Sequence, residues 1–442
     1  MKETQPESWA KFEANHKSNP DAVFLKRLAE ELDRVGALDV LRKGFKDINA
    51  TFKMAQFALA HALNPKTSED YRKNRLRVVR QLHYSEHNEN CIDLVLFLNG
   101  IPVATLELKT DTTQPVWNAI RQYKYDRLPV DPKSREKEPL LQFGRRALVH
   151  FATSCDEVYM ATRLEGKKTF FLPFNQGRDG SAGNPANPNR YATSYLWEEI
   201  FRKDVWMLIL GRYLHLERKE TVDSITGKKS IKETLIFPRF HQLDAVRALL
   251  AQTKAEGVGG TFLIQHSAGS GKSNTIAWTS HQLASLHDAE DRKIFGSVIV
   301  ITDRKVLDSQ LQDTIYQFEH QHGVVQKIDD NRKRKARTRK RISAPRTSST
   351  RWSPRANARP MSPITPSPRH RRPRLSSYLV NRSRMASRPR SMSTPCARPL
   401  RKVSSSTCSS TTPPTMCSGS FPRSVTTSSW NLARPGSRLP AT

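Results

Sequence analysis

The 442 residues allow two or three domains with real cores, but the net charge of +31 is unevenly spread. Residues 331–442 hold 26 of the 73 Lys and Arg and none of the 42 Asp and Glu. Residues 1–330 are thus near balance, with 47 basic against 42 acidic residues, so bulk charge does not by itself argue for a nucleic-acid partner and any such partner must be argued from sites. The five cysteines, Cys91, Cys155, Cys396, Cys408 and Cys417, have neither metal-like nor disulfide-framework spacing. No apolar run nears the roughly 20 residues that span a bilayer, and the polar start lacks a leader's apolar core, so a cytoplasmic protein with no membrane partner is expected.

In chain order, residues 21–63 place Val23, Phe24, Leu28 and Leu32 near helical spacing, predicting a helical scaffold closed by Asn64-Pro65. Short β-like runs follow at Leu76–Leu82, Cys91–Leu98, Val103–Lys109, Ala147–Thr153, Glu157–Thr162 and Lys168–Leu172, with a helix over Val116–Leu128. Residues 175–190, rich in Gly, Asn and Pro, predict a loop, and Ser194 to about Leu216 a helix. A turn at Thr226-Gly227-Lys228-Lys229 leads to a domain boundary at Ile236-Phe237-Pro238.

Beyond the boundary come a helix (Gln242 to about Ala255), a strand (Thr261–Gln265), a Gly-rich loop, a helix (about Ser273 to Leu286) and a strand (Ser297–Thr302). A last helix carries the stripe Leu307, Leu311, Ile315 and Phe318. Alternating β and α units predict a parallel sheet. Periodicity stops near Asp330, where Arg, Ser, Pro and Thr take over. The expected organisation is α/β, with a first domain over residues 1–225, a second over 235–328, and a disordered basic tail over 329–442.

The chemistry concentrates first in the pair Cys91–Leu98 and Val103–Lys109 around Asn99-Gly100, a hairpin signal. Period-2 alternation gathers Leu94, Leu96 and Leu98, and Leu106 and Leu108, on greasy faces. It leaves Asp93 on one strand and Thr105, Glu107 and Lys109 on the other facing the opposite way. A strict two-residue turn would not make the charged faces coincide, whereas a three-residue loop with Gly100 left-handed would, so the latter is expected. Two carboxylates and an ammonium then converge. Asp93 and Glu107 suit Mg²⁺, which polarises a phosphodiester and activates water, while Lys109 steadies the nucleophile or the developing charge. The following helix should expose Arg121, Lys124 and Arg127 to DNA phosphates.

The segments Tyr71-Arg72-Lys73-Asn74-Arg75, Val78-Val79-Arg80-Gln81-Leu82, Asp93 to Pro102 and Glu107-Leu108-Lys109 together resemble the N-terminal PD-(D/E)xK nuclease domain of the motor (R) subunit of type I restriction enzymes. The resemblance implies that Asp93, Glu107 and Lys109 match that family's catalytic Asp, Glu and Lys. It also implies Tyr123 of a Gln-x-x-x-Tyr motif at the DNA, although Ala119 stands where the Gln belongs and Gln122 sits elsewhere on the helix.

His266-Ser267-Ala268-Gly269-Ser270-Gly271-Lys272-Ser273 follows an expected strand and opens an expected helix, the context of a phosphate-binding loop, with His266 in place of the usual first Gly. Its backbone N–H groups, from Ala268 through Gly271, would surround the ATP phosphates, Lys272 would neutralise them, and the Ser273 hydroxyl would take Mg²⁺. The loop resembles the helicase-type P-loop of the same family. Pro238-Arg239-Phe240-His241-Gln242 resembles the adenine-recognising segment of superfamily-two helicases, with Gln242 at the base. Val298 to Arg304 resembles the next motor motif, with Asp303 and Arg304 near the DNA backbone.

These resemblances imply an incomplete RecA-like ATP-binding domain in an ATP-dependent, site-specific deoxyribonuclease subunit. Its partners would be double-stranded DNA and the specificity and methyltransferase subunits. Residues 331–442 have no carboxylate for a second acidic motor motif, so ATP turnover and translocation are expected to be lost. A frameshift or truncation after about residue 330 accounts for the change of character most simply, and a genuine basic tail binding nucleic acid or acidic partners is the competing account. Two other readings stay open: a freestanding Mg²⁺-dependent nuclease, and a non-catalytic nucleic-acid-binding protein acting through the tail.

Overall fold

The computed structural model describes residues 1–58, 64–110, 114–178, 180–222, 227, 229–302 and 311–315. Asp303, Arg304, Leu307, Phe318 and the whole expected tail lie outside them.

The expected helical scaffold is broken twice. After α1 (Pro6–Asn15), α2 (Pro20–Val35) stops at Gly36 and α3 (Ala37–Lys43) stops at Gly44, both with positive φ. The chain then turns into a hairpin, β1 (Phe45–Asp47) and β2 (Ala50–Phe52), rather than continuing as helix. Gly44 makes that turn possible, because a Cβ there would fall 1.9 Å from the Phe52 carbonyl oxygen. Trp9, Phe12, Phe24 and Phe52 stack together, Phe24 and Phe52 edge-on at 5.0 Å. Asn64-Pro65 opens a helix instead of closing one: the Asn64 side chain accepts from Thr67 N at 3.1 Å and Pro65 is the first residue of α4 (Pro65–Arg72).

Six strands form the main sheet in chain order: β3 (Leu76–His83), β4 (Cys91–Leu98), β5 (Ile101–Leu108), β6 (Val149–Thr153), β7 (Val158–Ala161) and β8 (Leu172–Pro173). All neighbours are antiparallel except β5 and β6, whose parallel pairing demands a crossover, supplied by α5 (Val116–Tyr125). One face packs Leu96, Leu106, Phe151 and Met160 onto the N-terminal helices and residues 195–214. The other packs Val95, Ala152 and Ala161 against Val116, Ala119, Ile120 and Tyr123 of α5. With both faces covered, the side expected to carry the charged residues lies under a helix.

The helix expected from Ser194 forms as two π-helical turns, Leu196–Ile200 and Ile209–Tyr213, around α6 (Lys203–Leu208). A hairpin, β9 (His215–Val222) with β10 (Lys229–Ile236), crosses the expected boundary, followed by α7 (Phe240–Glu256) and α8 (Lys272–Ala284). Thr261–Gln265 and Ser297–Thr302, expected as strands of a parallel sheet, pair with no strand among the described residues; Ile299 and Ile301 are 69% and 79% exposed. A β-branched run needs a ladder partner and a covering layer, and among the described residues neither run has a ladder partner. The apolar core nevertheless does not stop at residue 235. Trp206, Tyr213, Phe237, Leu243, Trp278, Leu311 and Ile315 belong to the same cluster as the N-terminal aromatics, and Trp278 Nε1 donates to the Tyr213 carbonyl at 2.9 Å. Among the described residues no helix is long and apolar enough to cross a membrane.

Candidate functional site

The β4–β5 hairpin decides whether the charged residues meet. Leu98 pairs directly with Ile101 across Asn99 (φ 50) and Gly100 (φ 87), so the turn has two residues, not the three expected. Parity is corrected further along. Phe97 pairs with Pro102 but Leu96 with Ala104, leaving Val103 as the extra residue of a β-bulge. The register beyond it, Leu94 with Leu106, sets Asp93 opposite Glu107. The expected convergence of the two faces therefore occurs, produced by the bulge rather than the loop.

Asp93 takes over part of the ladder at this end, its Oδ2 accepting from Leu108 N at 2.8 Å and its Oδ1 from Gln81 Nε2 at 3.1 Å. Glu107 is wholly buried; its Oε1 accepts from Arg127 Nε at 2.8 Å, and its Oε2 has no hydrogen-bond partner among the described residues. Burial first, and then the adjacent Asp93 carboxylate, push the Glu107 carboxyl up to about 7, against the opposing pull of Arg127. Lys109 follows directly after β5, its backbone N–H on the Thr153 carbonyl at 2.9 Å and its side chain half-buried.

Two expectations about α5 need correcting. Arg127 is not offered to solvent: the helix ends at Tyr125, and the chain then turns so that the guanidinium points inward to Glu107, with 12% of the side chain exposed. Tyr123 is buried rather than presented to DNA. Its hydroxyl lies 2.8 Å from Thr105 Oγ1, which also meets His150 Nδ1 at 2.7 Å. Burial drives His150 down to about 3, so its ring is neutral, and the trio pins α5 to the sheet. Arg121 is exposed and Lys124 half-buried.

Among the described residues no three His, Cys, Asp and Glu side chains gather as a metal-holding group. Asp93 and Glu107 offer two carboxylates, which suffices for an ion such as Mg²⁺ that keeps most of its shell as water and phosphate oxygen. The unpartnered Glu107 Oε2 beside a second carboxylate is the kind of vacancy in hydrogen bonding that a hard cation satisfies.

At the second candidate site, Gly269 (φ 75) and Gly271 (φ 83) shape the loop into α8. Lys272 Nζ donates to the carbonyls of His266 at 3.1 Å and Ser267 at 2.8 Å. The Ser270 hydroxyl is buried without a partner among the described residues, and Ala268 and Ser273 lie in exposed loop and first helical turn. Gln242, expected at an adenine base, is instead buried. Its Oε1 accepts from Arg239 N at 2.9 Å, and its Nε2 donates to the carbonyls of Ser270 at 3.1 Å and Gly271 at 2.9 Å. Its amide anchors the loop. Asp303 and Arg304 fall outside the described residues.

Residues 2–169 match the family described as type I restriction enzyme R protein N terminus. This part of the chain belongs to that family. Within that N-terminal domain the match spans all three candidate residues of the β4–β5 hairpin. Residues 241–346 match the family described as SWI2/SNF2 ATPase, a span that takes in the Gly-rich loop and runs past the last described residue. A curated relative, the putative type I restriction enzyme MjaVIIIP endonuclease subunit of Methanocaldococcus jannaschii, is 23% identical over 259 residues, covering 55% of this chain. The chain spans about a fifth of that relative's length, 21%.

Sequence reasoning missed Arg127 as a partner of Glu107, because the two are 20 residues apart and the contact depends on where α5 stops. Asp126, a residue disfavoured inside helices, and Pro129 shortly beyond it were the available signals for that stop.

Proposed function

We propose that this chain is the nuclease-bearing part of a type I restriction subunit that cuts double-stranded DNA with Mg²⁺ at Asp93, Glu107 and Lys109. The observation that carries the reading is the bulge-set register that seats Asp93 opposite Glu107 and leaves one buried Glu107 oxygen unpartnered. Asp93 and Glu107 would hold the ion, which when bound polarises the phosphodiester and supplies activated water. Lys109, two residues beyond Glu107 and on the same side of the strand, places an ammonium against the phosphate oxygens. Arg121 and Lys124 hold the DNA backbone. The buried trio of Thr105, Tyr123 and His150 fixes α5 over the buried Glu107, where low exposure strengthens the charge interactions of that carboxyl.

The type I family of the N-terminal part supports specificity and methyltransferase subunits as partners and the cytoplasm as location. The likeness of residues 241–346 to an ATPase supports ATP at Gly271-Lys272-Ser273. There Lys272 would exchange the carbonyls of His266 and Ser267 for phosphate oxygens. We propose further that this polypeptide does not turn over ATP. The segments flanking the loop lack strand partners among the described residues, and the loss of every carboxylate after Asp330 supports a shift of reading frame.

Plasmid cleavage with Mg²⁺, with and without ATP and the partner subunits, tests the whole reading. Asp93→Ala and Lys109→Ala should abolish cutting, and unchanged cutting in either would sink the site. DNA-stimulated ATPase that Lys272→Ala removes would overturn the defective motor, whereas an intact frame beyond codon 330 with no motor motifs in either other frame would overturn the frameshift.

A further inference from the structure

The outer face of α5 carries, beside the cations already given to the DNA backbone, exposed rings that the cutting chemistry does not use. Its inner face, Val116, Ala119, Ile120 and Tyr123, is buried. Trp117, Arg121 and Tyr125 follow one another at four-residue spacing on the outer side, spanning about 12 Å of helix. Trp117 is 58% and Tyr125 51% exposed, a high figure for rings of this size, and Arg121 is exposed between them. Lys167 Nζ sits 5.6 Å from the Tyr125 ring centre, and Lys124 lies beside it on the helix. Residues 116–128 contain one acid, Asp126, against Arg121, Lys124 and Arg127, and the nearby Glu165 is engaged with Arg163 at 3.9 Å.

This shelf has a fixed position relative to the acid pair. Glu107 pairs with Ala152 and Ala152 with Tyr159, so the three form one row across β5, β6 and β7, their side chains on the α5 side of the sheet. Tyr159 is thus two strand spacings, about 10 Å, from Glu107. The Trp117 ring packs on Tyr159 at 5.3 Å between centroids. The shelf begins where the row of the candidate site ends.

We propose that Trp117, Tyr159 and Tyr125, with Arg121, Lys124 and Lys167, bind an unpaired DNA strand, its bases stacked on the rings and its phosphates on the cations. Bases inside a duplex present no free face to a protein ring, so exposed rings among cations select separated strands. A duplex would need only the cations, which leaves two large exposed aromatics unexplained. The placement of this strand beside a cutting centre rests on the nuclease reading; the binding itself does not.

The test uses the full chain in chelator, so that nothing is cut and the basic tail contributes equally to every variant. Fluorescence anisotropy compares a 20-nucleotide oligothymidine with a 20-base-pair duplex at high salt, where stacking outlasts phosphate contacts. Trp117→Ala with Tyr125→Ala should weaken single-strand binding by about tenfold or more and duplex binding by less than about twofold, while Trp117→Phe with Tyr125→Phe keeps both. Single-strand binding that survives the alanine pair, or an equal loss for both DNAs, overturns the proposal. Photocrosslinking of an iodouracil-containing strand to the unaltered chain gives a readout independent of mutant folding: crosslinks at Trp117 or Tyr125 are expected, and their absence counts against the shelf. An Asp93→Asn chain that still cuts DNA would overturn the nuclease reading and leave the shelf standing.

Discussion

The Arg127 guanidinium lies against the buried Glu107 carboxyl, Nε to Oε1 at 2.8 Å, and leaves the second oxygen, Oε2, beside Asp93 with no hydrogen-bond partner among the described residues. An internal cation of this kind offsets part of the negative charge of the acid pair, and so weakens the attraction of a divalent cation for Oε2 and Asp93. Arg127→Gln should therefore bind Mn²⁺ several-fold more tightly at pH 8.5, measured by calorimetry, while losing about 3 kcal/mol of stability in chelator because the buried carboxylate is stranded. Unchanged or weaker Mn²⁺ binding in that variant would show that Arg127 does not compete with the cation.

Glu107 also sets a pH dependence of defined sign. Its carboxyl is held up at about 7, above the ordinary 4.5, by burial and by Asp93. A folded state that binds its proton more tightly than the unfolded chain is favoured at low pH. The contribution is fully present below pH 4.5 and is lost as pH rises through about 7, to the extent of roughly 3 kcal/mol at most. Metal binding runs the other way, because the ion needs the ionised form and must displace the proton below neutral pH. In chelator, denaturant midpoints should fall from pH 5 to pH 8 for the parent and stay flatter for Glu107→Gln. Parallel pH curves for the two proteins would remove Glu107 as the source.

The strands around the candidate site were legible from alternation alone, since Cys91–Leu98 is an uninterrupted apolar run with one acid and Asn99-Gly100 marks the turn. The need for a register correction was also legible, because parity demands it. Its origin at Val103 was not, because a bulge leaves no mark in a run of small and branched residues. Helical periodicity misled at residues 45–52, where Phe45 and Phe52 serve a hairpin under an aromatic cluster and local spacing carries no information about that packing. Strand propensity misled at Thr261–Gln265 and Ser297–Thr302, because a ladder requires neighbours and these segments have none among the described residues. Arg127 and Gln242 share one lesson. Arg127 was assigned outward to DNA by residue type and Gln242 to a base by resemblance, and each spends its polar atoms inside the protein, on Glu107 and on the loop backbone.

Two glycines with similar backbone angles separate strain from crowding. Gly100, at φ 87, has nothing within 4 Å of a Cβ position, whereas at Gly44, φ 73, that Cβ would meet the Phe52 carbonyl oxygen at 1.9 Å. Gly100→Ala should cost only the left-handed penalty, about 1–2 kcal/mol. Gly44→Ala must also push the β1–β2 hairpin off its aromatic cluster and should cost about 3 kcal/mol or more. Equal losses in urea midpoint for the two substitutions would mean that the hairpin at Phe52 yields freely.

Trp278 tests whether the two sides of the expected boundary are one folding unit. It is 1% exposed on α8, donates to the Tyr213 carbonyl at 2.9 Å, and packs its ring on Tyr213 at 5.4 Å, in a core that runs back to the N-terminal aromatics. Trp278→Ala should cost about 3–5 kcal/mol from the cavity alone, with the abandoned carbonyl adding to it. A shared core spreads that loss to both sides. Hydrogen exchange in the variant should then accelerate together in α8 and in residues 203–213, and the thermal transition should stay single. Faster exchange confined to α8, with residues 203–213 protected as before, would place a boundary between separately stable units at the position the sequence suggested.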